Sequence, residues 1–179
     1  YHNHIRTLFA LGNLCDEDKY VMRCLSFVPE RGIDVRNFAL MAQLATMNSI
    51  NDLAEYGYIR SFETDDFTIS LHPMIRDITV TDLQPTFTNC NRLMNSVKKI
   101  CGFHGKLVPN FQLFADILDG IMTYIYADSP EFIPFAEDAF TYVFQHSTEA
   151  ICEKILARIE ACDSISNNDK ALLCDFRAQ

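Results

Sequence analysis

The chain has 179 residues, of which 49% are hydrophobic, and this is enough for one large or two small domains with a proper core. Its formal net charge is −9, so its surface repels the phosphates that supply most of the affinity for nucleic acids. The longest apolar tract, residues 111–127, is interrupted by Asp116 and Asp119 and falls short of the roughly 20 apolar residues of a membrane span. We therefore expect a folded cytoplasmic protein with no membrane segment and no nucleic-acid partner.

The start of the chain and its cysteines indicate the cellular compartment in which we expect the protein. No basic region followed by an apolar run precedes the first helix, so nothing resembles a secretion signal, and Tyr1 suggests an internal piece of a larger protein. The seven cysteines include no CxxC pair, and this spacing is poor for zinc. We expect mostly buried, free thiols in a reducing compartment and no metal site.

Three helices are predicted in the first third of the chain. Asp16 is a good N-cap for the first helix, and Asp34 is a good N-cap for the second. Ser49, with Asp52 three residues later, resembles a capping box and is predicted to start the third helix. Gly57 is predicted to end that helix in the left-handed conformation that glycine adopts freely.

The periodicity then changes from helix to strand. Apolar and polar residues alternate over residues 58–62 and 67–71, and the acidic segment 63–66 between them is predicted to be a turn. Pro73 suits the first turn of a fourth helix, because its missing amide would have no partner there. His72 therefore stands where the second strand meets a helix. Three helices, a two-stranded hairpin and a fourth helix make up a winged helix.

The second half of the chain is predicted to be all helical. Apolar residues recur at spacings of three and four in segments that begin near Leu93, Phe111, Phe132, Ile151 and Leu172. Successive amphipathic helices with short turns suggest antiparallel pairs, as in an α-solenoid, although no clear internal repeat is present. The fold class is thus mainly α, with a winged-helix domain over residues 1–85 and a helical domain, expected to be truncated, over 86–179.

No catalytic residue is predicted. The chain contains no GxxxxGK[ST] loop and no strand that ends in a metal-binding aspartate beside one, so it cannot hydrolyse ATP alone. Asp116 and Asp119 are close enough in sequence to act as a general acid and a general base. However, they share a polar stripe, and such a stripe is typical of a solvated helix face. We expect no cofactor in this chain itself.

Residues 5–85 resemble the winged-helix domain of signal-transduction ATPases with numerous domains, the STAND class, which includes the NB-ARC proteins. The resemblance is strongest over residues 53–59 (LAEYGYI) and 69–76 (ISLHPMIR). In that family a Met-His-Asp motif or a relative lies at the strand-to-helix junction, and its histidine contacts the β-phosphate of bound ADP. Here the aligned triplet is Leu71-His72-Pro73, which keeps the histidine and lacks the aspartate, and the hydrophobic-His-Pro form resembles the bacterial branch.

The resemblance implies that His72 is a cofactor-binding residue that senses the nucleotide phosphate in the parent protein. An imidazole at a helix start can donate to a phosphate oxygen, and nearby helix amides favour an anion. The structural alternative is that His72 bonds to backbone and caps the wing. Arg76, on the same helix face, is a weaker candidate for the phosphate, and we favour instead an ion pair with Asp77 or Asp82.

The implied parent protein holds ADP or ATP with Mg²⁺ on an upstream nucleotide-binding domain in cis. In many bacterial relatives a tetratricopeptide-like sensor follows the winged helix, and residues 86–179 are expected to be its beginning. This makes the chain a non-catalytic regulatory fragment of an ATP- or GTP-binding signal-transduction protein. Its winged helix would lock the ADP state, and its helical part would sense a protein partner or relay to it.

Two alternatives stay open. The first is a winged-helix transcription regulator with a helical effector or dimerisation domain, although its DNA-reading third helix carries Asp52 and Glu55 and no lysine or arginine. The second is a helical-repeat adaptor for protein-protein interaction. It requires a groove lined by exposed aromatic residues, for which the candidates are Phe114, Phe135, Phe140 and Phe144.

Overall fold

The computed structural model describes residues 11–62, 67–102, 111–126, 130–146, 149–162 and 165–178. This part of the chain is mainly helical and contains one small antiparallel sheet, so the mainly α fold class is confirmed. None of its helices combines the length and the hydrophobicity needed to span a membrane.

The first part of the chain alternates helices with three short strands. After a 3₁₀ turn at Leu11–Asn13, the elements are α1 (Asp16–Leu25), β1 (Ile33–Asp34), α2 (Val35–Met41), α3 (Asn48–Glu55), β2 (Ile59–Phe62), β3 (Thr68–Leu71) and α4 (Pro73–Leu83). The second part contributes five helices, which are α5 (Asn91–Cys101), α6 (Phe111–Tyr124), α7 (Phe132–His146), α8 (Glu149–Glu160) and α9 (Asn167–Arg177).

The helix caps agree with the sequence patterns in part. Asp34 caps α2 as predicted, since its carboxylate accepts the amide of Asn37 at 2.9 Å. The N-cap of α1 is Cys15, whose sulfur accepts the amide of Asp18 at 3.4 Å. Asp16 is therefore the first helical residue, where its negative charge interacts favourably with the positive end of the helix dipole.

The predicted capping box of the third helix is wrong. Helix α3 begins at Asn48 with Met47 as its N-cap, and no side chain caps it. Ser49 and Asp52 consequently lie inside the helix. Its other end is as predicted, because Gly57 has a φ of +78° and its amide closes the last turn on the carbonyl of Ala54 at 3.0 Å.

The sheet contains the predicted hairpin and one further strand. β2 and β3 pair antiparallel from Ile59 opposite Leu71 to Phe62 opposite Thr68, and the predicted acidic turn between them lies outside the described residues. β1 joins the other edge of β3 and gives the order β1-β3-β2. The sequence patterns did not predict β1, because two residues carry no periodicity of their own.

The two halves of the chain share one hydrophobic core. A continuous set of buried side chains runs from Leu11 in the first half to Leu173 in the second. Between the halves, the amide of Tyr126 donates to the carbonyl of Pro85 at 2.8 Å. The division near residue 85 stays a prediction, but the halves are packed together. Within the second half, α7 packs on α5 and α8, and α6 packs on α8. The solenoid and tetratricopeptide expectations also stay predictions.

A buried tyrosine strengthens this junction. The hydroxyl of Tyr20 donates to the carbonyl of Ala42 at 2.8 Å and accepts the amide of Leu93 at 3.0 Å. The guanidinium of Arg92 lies over its ring, 3.8 Å from the centroid. Burial raises the pKa of Tyr20, so the hydroxyl keeps its proton and continues to donate to Ala42. One side chain thus connects α1, the end of α2 and α5.

The cysteines are free, as predicted, and five of the seven are buried. Cys15 and Cys174 are exposed. Burial raises the pKa of Cys101 to about 12 and that of Cys24 well above its ordinary value, so these thiols stay protonated near neutral pH.

We therefore expect a disulfide reagent at mildly alkaline pH to modify Cys15 and Cys174 rapidly and the other cysteines only after unfolding, since the thiolate is the attacking species. Counting the released chromophore with and without guanidinium measures both groups. Changing Cys15 and Cys174 to serine should remove the rapid phase. A rapid phase that survives this double substitution would contradict the described burial.

Candidate functional site

His72 occupies the junction between β3 and α4. It is the N-cap of α4, with extended backbone angles of φ −62° and ψ 139°, and Pro73 is the first helical residue. Proline fixes this geometry in two ways: its own φ suits a helix start, and its ring disfavours a helical conformation in the residue before it. The sequence therefore places a histidine where the chain leaves the sheet, as predicted.

The His72 side chain is exposed and uses one of its two ring nitrogens locally. Nδ1 accepts the amide of Met74 at 3.3 Å, which is an N-cap hydrogen bond. A neutral imidazole with Nδ1 as acceptor carries its proton on Nε2. The structural alternative, a cap on backbone, is thus what the contacts show, and it leaves the Nε2 donor for a second partner. The two roles use different nitrogens and are compatible.

Arg76 lies one turn further along α4 but faces the core. Only 6% of the residue is exposed, and its Nη2 donates to the carbonyl of Val28 at 2.7 Å. Its guanidinium also lies 5.8 Å from the ring centroid of Tyr124. The expected ion pair with Asp77 or Asp82 is wrong, because the guanidinium points to Val28, in the segment after α1, and to Tyr124 in α6. Its burial also makes Arg76 less accessible than His72 to a phosphate.

A small cavity of about 160 Å³ lies beside Arg76, between the two halves of the chain. Asp116 and Asp119 both line it. Asp116 forms an ion pair with Arg31, and Asp119 forms one with Lys154. The predicted polar, solvated face is therefore present: 23% of the Asp116 side chain and 43% of the Asp119 side chain are exposed, and each carboxylate pairs with a different cation.

Metal ligands do not gather anywhere in the described segments, where no three His, Cys, Asp or Glu side chains come together as a metal site would require.

The exposed face of α3 is polar and acidic. Asn48, Asn51, Asp52 and Glu55 are all exposed, and no lysine or arginine lies in this helix. A DNA-reading helix needs donors for phosphates and base edges, and carboxylates here repel both strands. Helix α3, the predicted DNA reader, therefore offers no basic anchor.

The four aromatic residues that test the adaptor alternative differ in their exposure to solvent. Phe114, Phe135 and Phe140 are buried in the core, whereas 46% of Phe144 is exposed. Phe144 lies in an open groove between α7, α8 and α9, together with Glu149 and Glu153. The sequence patterns named Phe140 and Phe144 as candidates for such a groove but did not single out its glutamates. The available signal was a pair of glutamates one turn apart immediately after an aromatic helix.

Comparisons of this chain with protein-family models, curated proteins and solved structures find no match. The resemblance to the STAND class therefore rests on the residues around Gly57 and His72.

Proposed function

We propose that this chain is the non-catalytic regulatory part of a STAND-type signalling NTPase, whose upstream domain holds the nucleotide. The order α1-β1-α2-α3-β2-β3-α4 and the sheet order β1-β3-β2 are those expected of a winged helix, and they support this proposal. Helices α5 to α9 would then be the start of the sensor or relay region.

The observation that carries the proposal is the state of His72. The residue is exposed at the start of α4, its Nδ1 is occupied by the cap, and its Nε2–H is a donor. The first turn of α4 contains no acidic residue that would repel an anion. A β-phosphate oxygen of ADP is a suitable acceptor for this donor.

Such a contact would act as a switch if only one state of the parent protein makes it. A hydrogen bond to a charged group contributes about 1.5–3 kcal/mol, which corresponds to roughly a ten- to hundredfold preference for the closed, ADP-bound state. Loss of the contact would shift the population toward the open state by the same factor.

The test is to replace His72 with serine in the longer protein that carries the nucleotide-binding domain. Serine keeps a capping oxygen for the Met74 amide but is too short to reach a phosphate. We expect a fluorescent ADP analogue to dissociate about tenfold faster or more. In the 179-residue chain, His72→Ser should change the free energy of unfolding by less than about 0.5 kcal/mol, whereas His72→Ala should cost about 1 kcal/mol through the lost cap.

The matched control is Asp77→Asn, at an exposed position of the same helix, which should leave ADP release unchanged. Unchanged ADP release from the His72→Ser protein would remove the sensor role. A reading frame upstream of Tyr1 that encodes no P-loop would remove the assignment to this class.

A further inference from the structure

The groove at the far end of the helical half has the size and shape of a binding site. Its volume is about 560 Å³, within the roughly 300–1,000 Å³ typical of ligand pockets. The last turns of α7, the start of α8 and the end of α9 form its walls. It uses none of the residues around His72, so it is separate from the proposed nucleotide contact.

Three phenylalanine rings form the apolar part of the groove. Phe140 is buried, and its ring stacks on Phe176 with the centroids 4.2 Å apart and on Phe144 with the centroids 5.7 Å apart. Phe144 stands at the outer end of this row with nearly half of its surface in water. Because Cys152 and Leu156 also line the groove, Phe144 belongs to a concave apolar surface and is not an isolated exposed side chain.

The rim of the groove is negative. Glu149 and Glu153 are both exposed and lie one turn apart on α8. The cation on the rim, Arg177, already forms an ion pair with Glu160 across α8 and α9 at 2.7 Å. The net charge of −9 adds a long-range field of the same sign. A phosphate-bearing or otherwise acidic ligand is therefore disfavoured, and a cationic one is favoured.

We propose that this groove binds a basic amphipathic helix of a partner protein. An aliphatic or aromatic side chain of the partner packs against Phe144 and Phe140, and lysine or arginine residues pair with Glu149 and Glu153. The spacing of the two glutamates along α8, about 6 Å for four residues, equals the rise between basic residues one turn apart on a second helix. The acidic rim thus favours a basic partner, and a helix with basic residues one turn apart matches the spacing of the two glutamates.

The probe is a fluorescent peptide of four helical turns, with leucine on one face and lysine on the other. Its two reference peptides are a scrambled sequence of the same composition and a version with glutamate in place of lysine. Fluorescence anisotropy with the 179-residue chain at roughly 0.15 M salt should detect binding of the basic amphipathic peptide. We expect the scrambled and acidic peptides to bind at least about tenfold more weakly, because each lacks one half of the complementarity.

Two pairs of variants distinguish groove binding from general attraction to an acidic protein. E149K/E153K and D52K/E55K change the net charge equally, but only the first pair lies in the groove. Phe144→Ser and Leu40→Ser both truncate an exposed apolar side chain, and only Phe144 lines the groove. We expect about tenfold weaker binding for each groove variant and less than about twofold for each control, as for loss of a single anchor.

Three results would overturn this proposal. One is equal weakening by D52K/E55K, which would indicate charge attraction alone. Another is the absence of binding by the basic peptide. The third is self-association of the chain, detected by sedimentation and abolished by Phe144→Ser, because a second copy would then be the occupant.

Discussion

Replacing Gly120 with alanine is expected to lower the free energy of unfolding by about 3 kcal/mol. A Cβ at this position in α6 would lie 2.7 Å from the carbonyl carbon and 2.9 Å from the Cα of Phe27, and closer still to the carbonyl oxygen. These are backbone atoms in the turn after α1 and cannot rotate aside. The helix propensity of alanine exceeds that of glycine by about 1 kcal/mol, which is too little to offset the overlap.

Gly102→Ala is the matched control for this substitution. Gly102 is the C-cap of α5, with a φ of −71°, and a Cβ there would lie 3.5 Å from the nearest atom, the carbonyl oxygen of Lys98. We expect its effect to stay within about 0.5 kcal/mol. Urea unfolding followed by circular dichroism measures both variants. If both variants lose the same free energy of unfolding, the close approach of α6 to Phe27 is not the cause of the destabilisation.

Arg76→Ala is expected to cost about 2–4 kcal/mol of stability. The substitution removes a hydrogen bond from a charged donor, leaves the carbonyl of Val28 without that partner, and opens a space beside the existing cavity between the halves. Arg76 is thus expected to act on the stability of the chain, in contrast to His72, whose serine variant should act on ADP release.

The control is Arg36→Ala, at an exposed position on α2, with an expected change below about 0.5 kcal/mol. Unfolding curves of the two variants in the same urea series give the comparison. An Arg76→Ala protein as stable as the Arg36→Ala protein would contradict the structural role of the buried guanidinium.

The elements that sequence patterns predicted correctly depend on neighbours in the chain. Alternation over residues 58–62 and 67–71 is enough to specify the hairpin, and Asp34 and Gly57 act within one helical turn. β1 escaped prediction because it exists only through its pairing with β3, which lies far along the chain. The Ser49 capping box failed because the helix starts two residues earlier than the pattern implied, which moves the hydroxyl out of capping geometry.

The side-chain partners of the candidate site were harder to predict. Helical spacing places Arg76 and His72 on the same side of α4, but only the packing of α6 and the segment after α1 decides that Arg76 is buried there. The same holds for Asp116, whose cation comes from a turn in the first half. Likewise, the periodicity of α7 treats Phe140 and Phe144 alike, and the position of α9 separates a core residue from an exposed one.

The two hydrogen bonds of the Tyr20 hydroxyl have a mechanical consequence. One buried hydroxyl connects α1, the end of α2 and α5, so these two hydrogen bonds hold the two halves of the chain together at this point. Under the proposed function, we expect a displacement of α1 or α2 that follows the loss of ADP to move α5 with it. Since α5 also packs on α7, which carries Phe144, the nucleotide state would then control where the groove is presented to a partner.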